Sequence, residues 1–203
     1  MRKLFASAKL KALCLIVAIT LSSLCKFNLF AQNAIVTENS LPGNPASEWD
    51  ISGAGDLSIQ GFATDISVNK GETVHFKIKT NASAYTIDIY RIGYYQGNGA
   101  RKVGTGVITA TLPQTQPADL YDPATGLTDC GNWNESAHWD VPANAVSGVY
   151  IAKLTRTNNG GSSHIVFIVR DDASHSDLSF QTSDATCQCV LQIWMDHLLI
   201  ATR

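Results

Sequence analysis

Tyr85-Thr-Ile-Asp-Ile-Tyr-Arg-Ile-Gly-Tyr-Tyr-Gln-Gly-Asn-Gly-Ala-Arg-Lys-Val103 is the stretch that decides the fold. Its first part alternates: Tyr85, Ile87 and Ile89 point one way, and Thr86, Asp88 and Tyr90 the other. A period of two marks a half-buried β-strand, because successive side chains of an extended chain leave opposite faces. Its second part, residues 93–99, sets Tyr94 and Tyr95 among Gly93, Gly97 and Gly99, which reads as a tight loop carrying aromatics. Arg91 and Arg101 bracket that loop.

The pattern extends outward on both sides. Residues 73–80 place Val74, Phe76 and Ile78 inward and His75, Lys77 and Lys79 toward water. Residues 150–156 and 163–170 are two further strands joined by the hairpin turn Asn158-Asn-Gly-Gly161. The second of them is almost continuously apolar and is expected to be central, covered on both faces. Glu48-Trp49-Asp50-Ile51 reads as a first short strand with Trp49 as a plug, and residues 32–47 as an extended lead-in. Residues 104–129, interrupted by Pro113, Pro117 and Pro123, read as a long loop, or alternatively as one that hides a weak strand near residues 106–112. Turn signals recur and no amphipathic helix interrupts them. The expected class is all-β: an antiparallel immunoglobulin- or fibronectin-like β-sandwich over residues 48–172.

Composition narrows the function. Hydrophobic residues make up 45% of 203, enough for a real core. The formal net charge is -2 and the body of the chain has no basic run, so nucleic acid is a poor partner. Arg2, Lys3, Lys9 and Lys11 precede an apolar stretch at residues 12–24, too short for a stable membrane span. Residues 1–31 therefore read as a signal peptide cut near Ala31, giving a secreted, periplasmic or cell-surface product. Cys14 and Cys25 fall in that leader, leaving Cys130, Cys187 and Cys189, which is not a disulfide framework.

Chemistry is sparse. There is no Gly-x-Ser-x-Gly elbow and no His-Glu-x-x-His. Asp171, Asp172, His175 and Asp177 read as a solvated linker. No residue is assigned as catalytic or as a metal ligand. Tyr90, Arg91, Tyr94, Tyr95, Arg101, Trp133 and Trp139 are the candidates for binding or for a domain interface. Aromatics beside Asn and Asp suit either core and interface packing or stacking against sugar rings.

Asn44-Pro-Ala-Ser-Glu-Trp-Asp50, Ile59-Gln-Gly-Phe-Ala63, Ile89-Tyr-Arg-Ile-Gly-Tyr-Tyr95, Cys130-Gly-Asn-Trp133, Ser147-Gly-Val-Tyr150 and Phe167-Ile-Val-Arg-Asp171 occur in that order. Together they resemble the N-terminal β-sandwich region of secreted bacterial proteins with a domain similar to the large subunit of N,N-dimethylformamidase. The resemblance spans roughly residues 38–186. It implies a sandwich that packs against an amide C–N hydrolase-like domain, with iron held there by two tyrosines and a glutamate and no cofactor in this chain. After Thr186 the resemblance stops, so residues 173–203 are expected to be the start of a truncated second domain, or an atypical, frameshifted tail. Two other roles stay open: a stand-alone carbohydrate-binding or adhesive β-domain with a glycan partner, and a fragment of an iron-dependent amidohydrolase.

Overall fold

The computed structural model describes residues 33–175 and Thr182. The expected signal peptide and most of the tail at 173–203 lie outside the described residues.

Among the described residues two short helices precede the strands, α1 (Ala34–Asn39) and α2 (Ala46–Trp49). Eleven strands follow: β1 (Ile59–Ala63), β2 (Ser67–Asn69), β3 (Thr73–Thr80), β4 (Tyr85–Ile92), β5 (Ala100–Thr105), β6 (Val107–Ile108), β7 (Leu120–Asp122), β8 (Leu127–Asp129), β9 (Ala137–Asp140), β10 (Gly148–Arg156) and β11 (Ser162–Arg170). A four-stranded sheet has the order β1-β3-β9-β6 and a five-stranded sheet the order β2-β11-β10-β4-β5. In immunoglobulin lettering these correspond to A-B-E-D and, after the parallel edge strand β2, G-F-C-C′. The topology itself therefore establishes the sandwich.

The alternation read from the sequence explains the core. Val74, Phe76 and Ile78 on β3 are fully buried, and Ile87, Ile89 and Tyr85 face them from β4. Phe76, Trp139, Tyr150 and Phe167 form a ring cluster with neighbouring centroids 5.8–6.0 Å apart. The Tyr150 hydroxyl donates to Val146 O at 2.6 Å, the tyrosine corner that pins the turn before strand F in immunoglobulin-like domains. Its sequence signal was the run Val146-Ser-Gly-Val-Tyr150. Tyr85 is also buried, but its hydroxyl has no protein partner, and burial pushes it up to about 12. Tyr85→Phe is therefore expected to leave stability unchanged or raise it by up to ~1 kcal/mol, whereas Tyr150→Phe loses about 1 kcal/mol; urea melts of both variants check this.

Four expectations are corrected. β11 is not covered on both faces: Val166 is 53% exposed, and β10 is the central strand of its sheet. Its apolar outer residues lie on a face that the N-terminal segment covers only in part. Residues 48–51 do not form a strand, because Ala46–Trp49 closes a helical turn. The lead-in is not simply extended: it contains α1, and Asn44 bridges to Ala100. The long loop holds the expected weak strand as β6, but it is not otherwise structureless: it also forms a separate β7–β8 hairpin.

Candidate functional site

Along β4, Ile89 and Arg91 leave the inner face and Tyr90 the outer one. Outward pointing does not expose Tyr90. It is 3% exposed, because Trp49, Ala100, Ile151 and Ile92 pack with it into a second small apolar cluster. Trp49 is a plug, as expected, but from a helical turn laid over the sheet. Its indole N–H is shared between Asn98 O at 3.1 Å and Asn44 O at 3.2 Å. Lys153 donates to Glu48 O at 2.8 Å, and His164 Nε2 lies 2.6 Å from Trp49 O. Gly99 makes the close approach possible: its φ is +83°, and a Cβ there would lie 2.8 Å from the Trp49 ring.

Arg91 is 3% exposed, at the end of the sandwich. Its guanidinium donates to Val146 O at 3.2 Å, Ser147 O at 2.9 Å and the Tyr95 hydroxyl at 3.1 Å. Tyr95 is fully buried and donates to Glu38 Oε1 at 3.0 Å. Arg101 reaches the same oxygen at 3.0 Å. Burial raises the Tyr95 phenol, Arg91 opposes that rise, and Glu38 adds to it. The loop backbone is tied down as well: Tyr94 N–H donates to Asn39 Oδ1 at 2.9 Å, and Gln96 Nε2 to Ser40 O at 3.0 Å. A Cβ at Gly93 would collide with Asn39 Oδ1. Tyr95 (φ 40°) and Gln96 (φ 59°) sit in the left-handed region, a conformation that non-glycine residues keep only when their surroundings enforce it.

The seven candidates thus separate. Tyr90, Arg91, Tyr95 and Arg101 belong to one structural junction, where residues 34–50 lie across the five-stranded sheet. Tyr94 beside them is 70% exposed. Trp139 is 6% exposed within the inter-sheet ring cluster, so it is not available as a ligand platform. Trp133, 8% exposed, packs elsewhere, against Phe62 with centroids 5.8 Å apart and beneath Lys79. Sequence reasoning missed Glu38 and Asn39. Their signal was a Glu-Asn pair with no helix cap to serve, inside a segment read as extended.

The junction does not suit the iron that the resemblance implies for the larger domain. Glu38 and Tyr95 are already joined, and two guanidiniums lie within 3.0–3.1 Å of their oxygens. A further cation would meet that positive charge. The Tyr150 hydroxyl is committed to Val146 O. Among the described residues, no three His, Cys, Asp or Glu side chains converge as metal ligands. The Cys130 thiol is buried, and burial with Asp119 and Asp129 nearby pushes it up, away from the thiolate a nucleophile needs.

His164 gives the junction a pH dependence. Burial lowers its pKa below the ordinary value, against the opposing pull of the Trp49 carbonyl. The unfolded chain therefore binds more protons between the two pKa values, and the stability from neutral His164 is lost as pH falls below about 6.5. The wild type is expected to lose melting temperature on acidification in that window, and His164→Gln to show a flatter profile.

A family model described as N,N-dimethylformamidase beta subunit-like, C-terminal, matches residues 86–189. That is just over half of the chain. The chain belongs to this family. The matched region of the dimethylformamidase-like chain begins inside β4, takes in β5 to β11, and continues beyond β11 to Cys189. No curated protein matches. Among solved structures, domain 1 of VCBP3 from Branchiostoma floridae aligns with 11% identity over 60% of this chain and 100% of that one, at a TM-score of 0.32. A Salmonella alpha-2-macroglobulin variant aligns with 16% identity over 64% of this chain and 7% of that one, at a TM-score of 0.30.

Proposed function

We propose that this chain supplies the non-catalytic β-sandwich module of a secreted dimethylformamidase-like protein. The module packs against an amide C–N hydrolase-like domain, and any iron belongs to that domain. The observation that carries this reading is the state of the Arg91–Tyr95–Glu38–Arg101 junction. Its chemistry-bearing side chains are buried in hydrogen bonds that fasten residues 34–50 to the sandwich. A loop fixed in this way holds Tyr94 out at 70% exposure on a rigid base, as an interface residue requires. Export by the N-terminal leader is part of the same reading.

The test is co-purification with an amide hydrolase-like domain from a longer family member. Tyr94→Ala is expected to weaken that association about tenfold, in line with loss of an interface aromatic, while the melting temperature stays unchanged. Equal association of wild type and variant would remove the loop from the interface. A glycan role for the aromatics has less support, because Trp139 lies in the core and Trp133 packs apart from the loop.

A further inference from the structure

The β7–β8 hairpin stands outside both sheets and pairs only within itself among the described residues. Leu120 pairs with Asp129, and Asp122 with Leu127, so two leucines and two aspartates share one face in a diagonal checkerboard. All four are exposed, Leu120 at 54% and Leu127 at 60%, and Tyr121 is 57% exposed on the other face. Thr128, beside Tyr121, is buried, so the hairpin is anchored through its inner face.

The hairpin's own charge is one-sided, and the cations near its base come from β3: Lys77 donates to Gly131 O at 2.7 Å, and Lys79 lies near Cys130. No Lys or Arg occurs between Lys102 and Lys153, whereas Asp119, Asp122, Asp129, Glu135 and Asp140 do. The Asp122 carboxylate accepts from Ala124 N–H and the Thr125 hydroxyl, which hold its pKa below the usual value. Asp129 accepts from Gly131 N–H. These bonds fix the carboxylates without neutralising them, and among the described residues neither aspartate is in an ion pair.

From this arrangement we propose that the β7–β8 hairpin is a docking element for a cationic, apolar-lined protein surface. Apolar side chains interleaved with carboxylates that make no ion pair are complementary to alternating apolar and Lys/Arg groups. The same charge disfavours the other occupants: an anionic membrane, a nucleic acid, and a second copy of this hairpin would each bring negative charge against negative charge. The hairpin and Tyr94 belong to different segments of the chain, and a docking role for the hairpin does not depend on the hydrolase context.

The test uses the full chain and a fluorescent alternating leucine–lysine peptide, with a leucine–glutamate peptide and phosphatidylglycerol vesicles as comparisons. Anisotropy is expected to show binding of the leucine–lysine peptide only. Leu120→Ser with Leu127→Ser, and separately Asp122→Asn with Asp129→Asn, are expected to weaken it at least tenfold with circular dichroism unchanged. Val166→Ser, at an exposed apolar residue on β11, is expected to leave binding intact. The proposal is overturned by hairpin variants that bind like wild type, by equal binding of the leucine–glutamate peptide, by vesicle binding lost in the same variants, or by a dimer that those variants abolish.

Discussion

Trp139→Ala is expected to destabilise the domain by about 3–5 kcal/mol, the range for removing a large aromatic from a packed core. The indole contacts Tyr150 and Phe167 at centroid distances of 5.9 and 6.0 Å, and its Nε1 edge lies against Gly104. The variant leaves a cavity where the two sheets meet, and close packing on both sides limits its collapse. Thermal melting should fall by roughly 6–20 °C, given about 2–4 °C per kcal/mol for a domain of this size. Trp133→Ala is expected to cost less, because that ring packs at the periphery on Phe62 under Lys79. If Trp139→Ala melted like wild type and lost a ligand instead, the core assignment would fail.

Arg91→Met should be nearly as damaging, for a different reason. Methionine replaces much of the aliphatic stem and removes the donors. Val146 O, Ser147 O and the Tyr95 hydroxyl then lose a charged partner in a site only 3% exposed. Leaving a buried polar group without its charged donor costs about 1–3 kcal/mol, so with three acceptors involved a loss of about 3 kcal/mol or more is expected. Arg101→Met is expected to cost no more than ~1 kcal/mol: its ion pair with Glu38 is partly open to solvent and screened. Hydrogen exchange should separate the two. Arg91→Met is expected to deprotect α1 and residues 93–99 together, and Arg101→Met to affect α1 alone. Equal, small effects of the two variants would mean that the junction is held by packing rather than by Arg91.

The longer strands were legible where the inner face obeys a period of two and the flanking turn carries Gly, Asn or Asp, whereas β5 went unread. β3 and β4 are the clear cases: Val74, Phe76, Ile78, Ile87 and Ile89 were readable from alternation alone. The second layer was not. Alternation says that Tyr90 leaves the outer face, but not that Trp49 covers it, since that contact joins residues far apart in sequence through one indole and a helical turn of four residues. Residues 34–50 lack the periodicity that reveals a helix, and their hold on the sheet is largely side chain to backbone. The β7–β8 hairpin was hidden for a related reason: strands of three residues are too short to show a period. At the candidate site the right residues were singled out by their clustering, but burial could not be read there. Arg91 and Tyr95 have the composition of a binding loop and the environment of a core.

We propose that the Arg91–Tyr95 junction holds the module together and takes no part in amide hydrolysis. The most direct test of this is an assay of dimethylamine release from N,N-dimethylformamide by the purified 203-residue chain, with and without added ferrous or ferric iron. No release above buffer is expected under any of these conditions, while Tyr95→Phe and Arg91→Met lower the melting temperature. Release that depends on iron and disappears in Tyr95→Phe would contradict the account.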